Sequence, residues 1–240
     1  MANENGEWIM YGCAPGDPRR LHTVEELIAC VDEIGFLPLF KNEVPGFSVE
    51  ERTLAYDWWT DDPARDPWYW RITAARSGRV AYGKFFDKKA GYVSLRWLAA
   101  FANWRRDGYD FDARFDDGLA SLRQKKLMDP FDTHDELFSF ELKELAGFGK
   151  GGEKNYEGTV TALQMQTYLT VKDFRCRRNK YGEDYGWHIA VLAPPEKLWG
   201  YEAVTAAYSE DPAVSRARCL DQLRRCFPEA GEDALLKIMK

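Results

Sequence analysis

The sequence predicts a mixed α/β protein of the α+β type, built as two lobes, and three observations carry that expectation. At 240 residues the chain exceeds the roughly 100–150 residues of a typical domain. Its 45% apolar, 15% aromatic and 30% charged content is that of a packed globular protein rather than a disordered one. Segments with apolar residues at helical spacing are interrupted by two hairpin patterns, one in each half. The expected organisation is a Trp-rich α+β lobe with a basic hairpin over residues 1–112, a second domain over 113–200, and C-terminal helices over 201–240.

Thr23 followed by Glu26 is a capping box, and LIACVDEIGF continues at helical spacing to Gly35, so a helix is predicted over Thr23–Ile34. Pro45-Gly46 makes a turn. A second box, Ser48 to Glu51, predicts a helix through SVEERTLAYDWW, stopped by the acidic, Pro-containing TDDPARDPW. Trp58, Trp59, Trp68 and Trp70 lie close together there. Such a cluster serves either as a core wrapped by a polar loop, the commoner use of Trp, or as a platform on which bases stack. GRVAYGKFFDKKAGYVS reads as a hairpin turning at Asp87-Lys88-Lys89, which puts Lys84, Lys88 and Lys89 at or near its tip. Ser94–Arg106 is predicted helical, with Leu95, Leu98, Phe101 and Ala102 on one side. The Asp- and Gly-rich DGYDFDARFDDG then marks the lobe boundary.

From Asp116 onward the order of elements becomes informative. GLASLRQKKLMD predicts a helix broken at Pro130, and HDELFSFELKELAGF a second helix ending at Gly147. After the turn GKGG, NYEGTVTALQMQTYL predicts a third helix. LTVKDFRCR and YGWHIAVLA then read as strands joined by NKYGED and closed by Pro194-Pro195. Helix, helix, turn, helix, hairpin is the order of a winged helix, in which the third helix enters the major groove and the hairpin, or wing, flanks it. The wing here carries Lys172, Arg175, Arg177, Arg178 and Lys180. Two further helices are expected through VSRARCLDQLRRCF and EDALLKIMK, with Cys219 and Cys226 as core contacts on the first.

Charge and rare residues narrow the function classes. The net charge of −6 hides two basic islands. Between Arg71 and Arg106 nine basic residues face Asp87 alone, and between Gly147 and Gly182 seven face Glu153, Glu157 and Asp173. Such segregation either steers a polyanion toward a positive face or reflects solvated surfaces paired with the acidic remainder. No apolar run approaches the roughly 20 residues of a membrane span, and Met1 to Gly6 lack a basic-then-apolar signal, so a cytoplasmic protein without membrane contact is expected. Cys13, Cys30, Cys176, Cys219 and Cys226 are odd in number and form no C-x-x-C pair, and His22, His134 and His188 have no metal-ligand spacing. Reduced thiols, no metal and no cofactor are expected.

Over LQMQTYLTVKDFRCRRNKYGEDYGWHIAVLAPPEKLWG, and more broadly Gly118–Gly200, the chain resembles the winged-helix family of AlkZ and YcaQ, bacterial DNA glycosylases that unhook interstrand crosslinks and excise alkylated bases. The resemblance implies that Gln164 and Gln166, flanking Met165, match the Gln-apolar-Gln motif that positions a water at the sugar carbon, and that Tyr185, Trp187 and Pro195 match the end of the wing. Paired amide oxygens can hold a water and stabilise an oxocarbenium-like transition state, which suits a substrate already cationic from alkylation. Residues two apart on a helix do not share a face, so the pair acts together only if the helix ends at or near Leu163; otherwise Gln164 and Gln166 are ordinary residues on opposite sides of a helix end.

The leading expectation is therefore a winged-helix protein whose partner is duplex DNA, damaged duplex included, either as a glycosylase or as a binding relative without chemistry. The alternative is a winged-helix transcription regulator or protein-interaction module. A third reading, a small-molecule enzyme in the Trp-rich lobe using Asp57, Asp61, Asp62 and Asp66, competes with those residues forming a surface loop. The oligomeric state stays open.

Overall fold

The computed structural model describes residues 9–240, and the expectation for Met1 to Gly6 lies outside them. Among the described residues the architecture is mixed α/β, with many short helices and two three-stranded antiparallel sheets. It divides into two compact units, one reaching to Trp97 and including Cys219–Lys240, the other Leu98–Arg218. Among the described residues no helix is long and apolar enough to cross a membrane.

The first unit opens with α1 (Val24–Ile34), capped as its sequence requires: the Thr23 hydroxyl accepts from the Glu26 amide at 3.2 Å. Leu27, Ile28, Val31 and Ile34 make its buried stripe, and each large apolar side chain removed from water contributes roughly 1.5–3 kcal/mol. Gly35, at φ +93°, ends the helix, and a Cβ there would sit 2.8 Å from the Trp97 ring. Strand β1 (Phe36–Pro38) follows.

The predicted helix from Ser48 is not formed. Its Ser48–Glu51 bond is present, at 3.2 Å from the Glu51 amide to the hydroxyl, yet only two single turns of 3-10 helix appear, at Glu50–Arg52 and Ala55–Asp57. The buried Glu50 carboxylate instead accepts from the Tyr11 amide at 3.0 Å and the Lys41 amide at 2.9 Å. The extended Thr53 accepts from the Trp58 indole at 2.9 Å. Side chains that bond to distant loop backbone and to a neighbouring indole offer an alternative to the helical ladder, and here that alternative wins.

Helix α2 (Pro67–Arg76) stands where a stop was expected. Asp66 caps it, accepting from the Trp68 amide at 2.8 Å, with Pro67 in the first turn. Of the Trp cluster, Trp58 and Trp70 are core, whereas Trp59 is half exposed. The four aspartates nearby have structural partners or face solvent: Asp57 pairs with Arg65, Asp66 is the cap, and Asp61 and Asp62 are exposed. Strands β2 (Val80–Phe86) and β3 (Lys89–Ser94) form the expected hairpin, giving the sheet order β1-β3-β2. Asp87 and Lys88 both take positive φ at its tip, the geometry of a two-residue hairpin turn.

Helix α3 (Leu95–Arg106) leads into the second unit. Next come α4 (Phe111–Asp116), not foreseen, and α5 (Leu122–Met128), held by a complete capping box between Ser121 and Gln124. The second predicted helix of this half is split. Leu137-Phe138 is strand β4, and only Ser139–Leu145 coils as α6. Helix α7 (Tyr156–Met165) precedes the long strands β5 (Thr170–Arg178) and β6 (Asp184–Ala193). The sheet order is β4-β6-β5, with Leu137 opposite Leu192 and Thr170 opposite Ala193. Short helices α8 (Pro195–Trp199) and α9 (Tyr201–Thr205) precede α10 (Pro212–Cys226), and α11 (Glu232–Ile238) closes the chain. All five cysteines are free thiols, and burial pushes the Cys30 and Cys226 thiols above their ordinary value.

Candidate nucleic-acid interface

The second unit gathers most of the candidate residues. Helix α7 ends by passing into β5 through Gln166, Thr167, Tyr168 and Leu169, so one continuous segment carries the glutamine pair and the first strand of the wing. The helix runs to Met165, two residues past Leu163. Gln164 therefore lies in the last helical turn, 4% exposed. Gln166 is the C-cap, and its Oε1 accepts from the Gln124 amide of α5 at 2.8 Å. The spacing thus leaves one amide packed inward and the other engaged by α5.

What stops α7 is Thr167, at φ +62°, a left-handed conformation that a β-branched residue adopts at a cost of about 1–3 kcal/mol. Arg106, 1% exposed at the end of α3, holds it there. Its guanidinium donates to the Thr167 carbonyl at 2.7 Å and to the Thr167 hydroxyl at 3.2 Å, pairs with Glu196, and bonds the Tyr208 hydroxyl at 3.0 Å. Burial opposes the Arg106 charge, but Glu196 and Tyr208 outweigh that penalty and hold its pKa above the ordinary value. Tyr168 and Tyr208 both donate to the Tyr109 carbonyl, at 2.9 Å and 3.0 Å, and close the network.

A cavity of about 310 Å³ opens over this network, lined by Arg106, Asp110, Asp129, Asp132, Tyr168 and Glu196 among others. Its carboxylates disfavour phosphate and suit a cationic, flat group that the Phe111, Phe131 and Tyr168 rings can face. Neither glutamine is among its lining residues. A second cavity of about 310 Å³ is lined by Phe140, Lys143, Lys150 and the glycines of the GKGG turn.

The wing cations fall into two groups. Near the base of the hairpin, Lys172 and Arg175 both pair with Glu136, and Arg175 also meets Asp173 at 3.3 Å. Partial burial works against the Glu136 carboxylate, but the hydrogen bonds and charges of Lys172 and Arg175 overcome it and hold its pKa below the usual carboxylate range. The pair's contribution is therefore complete above the ordinary carboxylate pKa and is lost only as pH falls through the lowered folded value. Toward the tip, Arg177, Arg178 and Lys180 are exposed. Arg177 lies 4.3 Å over the Phe140 ring, Arg178 meets Asp184 at 3.2 Å, and Lys180 lies 4.9 Å from the Tyr181 ring. If Glu136 masks the inner cations, Glu136→Gln is expected to tighten binding of duplex DNA roughly threefold at low salt, read by fluorescence anisotropy, with the gain shrinking as salt rises.

Lys84, Lys88 and Lys89 belong to the first unit. Lys88 and Lys89 are exposed at the tip of the β2–β3 hairpin, and Lys84 is half-buried in β2. Sequence reasoning misses the contribution of Glu136, which lies outside both basic islands, and the burial of Arg106, which nothing in its neighbouring residues announces. It also misses the exposure of the wing aromatics: Tyr181 is 75% exposed and Trp187 91%. The Gly186 before Trp187 was the available signal, since a glycine inside a strand pattern marks a bulge.

A family model described as AlkZ related matches residues 21–240. No curated protein and no solved structure matches the chain.

Proposed function

Since the chain belongs to the AlkZ-related family, we propose that it is a winged-helix protein that binds duplex DNA chiefly through the hairpin of β5 and β6. The observation that carries this reading is the order α5, β4, α6, α7, β5, β6 with sheet order β4-β6-β5, joined to exposed cations on the last hairpin. That order is what a winged helix requires: three helices, a short strand after the first, and a wing that completes the sheet.

The alternative of a sequence-specific regulator is less well supported, because α7 presents little to read bases with. Its exposed residues are Glu157 and Gly158, whereas Thr159, Val160, Thr161, Leu163 and Gln164 are buried. Base-edge readout in the major groove calls for donors such as Arg, Asn or Gln on the exposed face. Cations on a hairpin instead engage the phosphate backbone, with no dependence on sequence. Titrating a labelled duplex at rising salt tests this: tight binding at low salt that falls steeply supports the reading, and no binding at the lowest salt overturns it.

The finer proposal is release of alkylated bases, supported by the family and by the acidic, aromatic-lined cavity beside Arg106 and Tyr168, which suits a cationic base. Gln164 and Gln166 are its candidate water-positioning pair, a role that requires the end of α7 to rearrange, since the helix continues past Leu163, Gln164 is buried there and neither glutamine lines this cavity. The double variant Gln164→Ala with Gln166→Ala is expected to reduce base release from alkylated duplex at least about hundredfold with duplex binding retained. Release at the wild-type rate by a folded double variant removes the pair from the chemistry.

A further inference from the structure

The distal half of the wing is unusual for a surface hairpin. Every residue from Lys180 to His188 is exposed, yet three of these nine are large aromatics: Tyr181, Tyr185 and Trp187. A solvated hairpin is normally stabilised by covering such rings, and a tryptophan 91% exposed forgoes the burial that makes its side chain favourable in a fold. The backbone arranges this. Arg175 is opposite Ile189 and Arg177 opposite Tyr185, so Cys176 alone faces Gly186, Trp187 and His188 across the hairpin. Gly186, at φ +78°, absorbs the excess residues, and such a bulge re-aims the side chain beside it. The Cys176 thiol lies 3.6 Å from the Gly186 carbonyl across the same bulge.

Cations interleave with these rings. Arg177 faces Tyr185 in the register and lies over Phe140, and Lys180 lies beside Tyr181. Neither Arg177 nor Lys180 makes an ion pair among the described residues. Flat rings alternating with uncompensated cations match unpaired nucleotides, whose bases stack while their phosphates take up the charge. A fully paired duplex keeps its base faces stacked inside and leaves such rings none to stack on.

We propose that the wing tip is a stacking site for unpaired nucleotides, in which Trp187 lies against an exposed base while Arg177 and Lys180 hold the flanking phosphates. This rests on the DNA-binding reading and adds to it a preference for duplex containing locally unpaired bases, whether opened by damage, by mismatch or at a strand junction. The bulge gives Trp187 its exposure, and the arginine on Phe140 keeps a cation close to the tip.

The test compares the wild-type full chain with Trp187→Ala and Trp187→Phe on three labelled probes: a paired duplex, the same duplex with a short central bubble, and the single strand. Wild type is expected to bind the bubble about tenfold tighter than the duplex. Trp187→Ala should lower bubble affinity about tenfold and leave duplex affinity within about twofold, and Trp187→Phe should keep most of the preference. Equal bubble preference in wild type and Trp187→Ala overturns the proposal, as does an equal loss on all three probes. A wild-type dimer in sedimentation that Trp187→Ala dissociates also overturns it, by making the patch a contact between copies. Duplex binding with no bubble preference defeats this inference alone, whereas no binding of any probe at low salt defeats the DNA-binding reading beneath it.

Discussion

Replacing Arg177, Arg178 and Lys180 together with alanine is expected to weaken binding of paired duplex by roughly ten- to hundredfold near physiological salt. The reason is counterion release: each phosphate neutralised adds about 0.9 to the slope of log affinity against log salt, so losing up to three contacts lowers that slope by roughly 2–3. These three side chains are exposed, and among the described residues the ion pair of Arg178 with Asp184 is the one such pairing at the tip. Exposed pairs of that kind contribute little to stability, so the variant should unfold at nearly the wild-type denaturant concentration. The same substitutions at Lys172 and Arg175 are expected to cost less, because Glu136 already occupies both cations. An unchanged salt slope in the triple variant removes the wing tip from the interface.

The second large effect is on stability and concerns Arg106. Its replacement by alanine leaves Glu196 without its cation, the Thr167 carbonyl without its 2.7 Å donor, and the Tyr208 hydroxyl without a partner it now has. Removing one member of a buried ion pair costs roughly 3–5 kcal/mol. Glu196 is partly solvated, which places the expectation at the lower end, about 3 kcal/mol. In a chain of this size that corresponds to a fall in melting temperature of roughly 6–12 °C. Arg106→Lys should recover only part of the loss, since an ammonium cannot bridge Thr167, Glu196 and Tyr208 with a planar fork. A melting temperature within about 2 °C of wild type for Arg106→Ala would show that the turn after α7 holds its left-handed Thr167 without this network.

What could be read in the sequence follows from how local its cause is. Helix α1 was legible because its cap, its apolar stripe and its terminal glycine all lie within the segment. Both hairpins were legible from alternation and turn residues. The segment after Ser48 was not, because Glu50 bonds to Tyr11 and Lys41, residues far enough away that no local pattern reveals them. Helix α2 is concealed for a different reason: Asp66-Pro67 is a cap followed by a first-turn proline, and the same pair in a Pro- and Asp-rich segment also spells a stop. Strand β4 is two residues long and exists only through its pairing with Val191 and Leu192.

The candidate interface divides along the same line. The cations of the wing were visible as residues, but their availability depends on Glu136, far from Lys172 and Arg175 in the chain. The end of α7 is set by a threonine at positive φ, a conformation the residue type does not announce, and so the spacing of Gln164 and Gln166 could be seen while their separate surroundings could not. The exposure of Trp187 arises from a register irregularity across the hairpin, which a strand pattern alone conceals.

Hydroxyl-radical footprinting of the full chain with and without paired duplex tests the wing most directly, because exposed aromatic side chains report their own solvent access. Tyr181, Tyr185 and Trp187 on the wing and Tyr11, Tyr56 and Trp59 in the first unit are all at least half exposed in the free protein. The expected result is protection of Tyr181 and Tyr185, which adjoin the phosphate-binding Lys180 and Arg177, by duplex DNA, with Tyr11, Tyr56 and Trp59 as reactive as before. Protection of the first-unit aromatics while the wing stays fully reactive would contradict it.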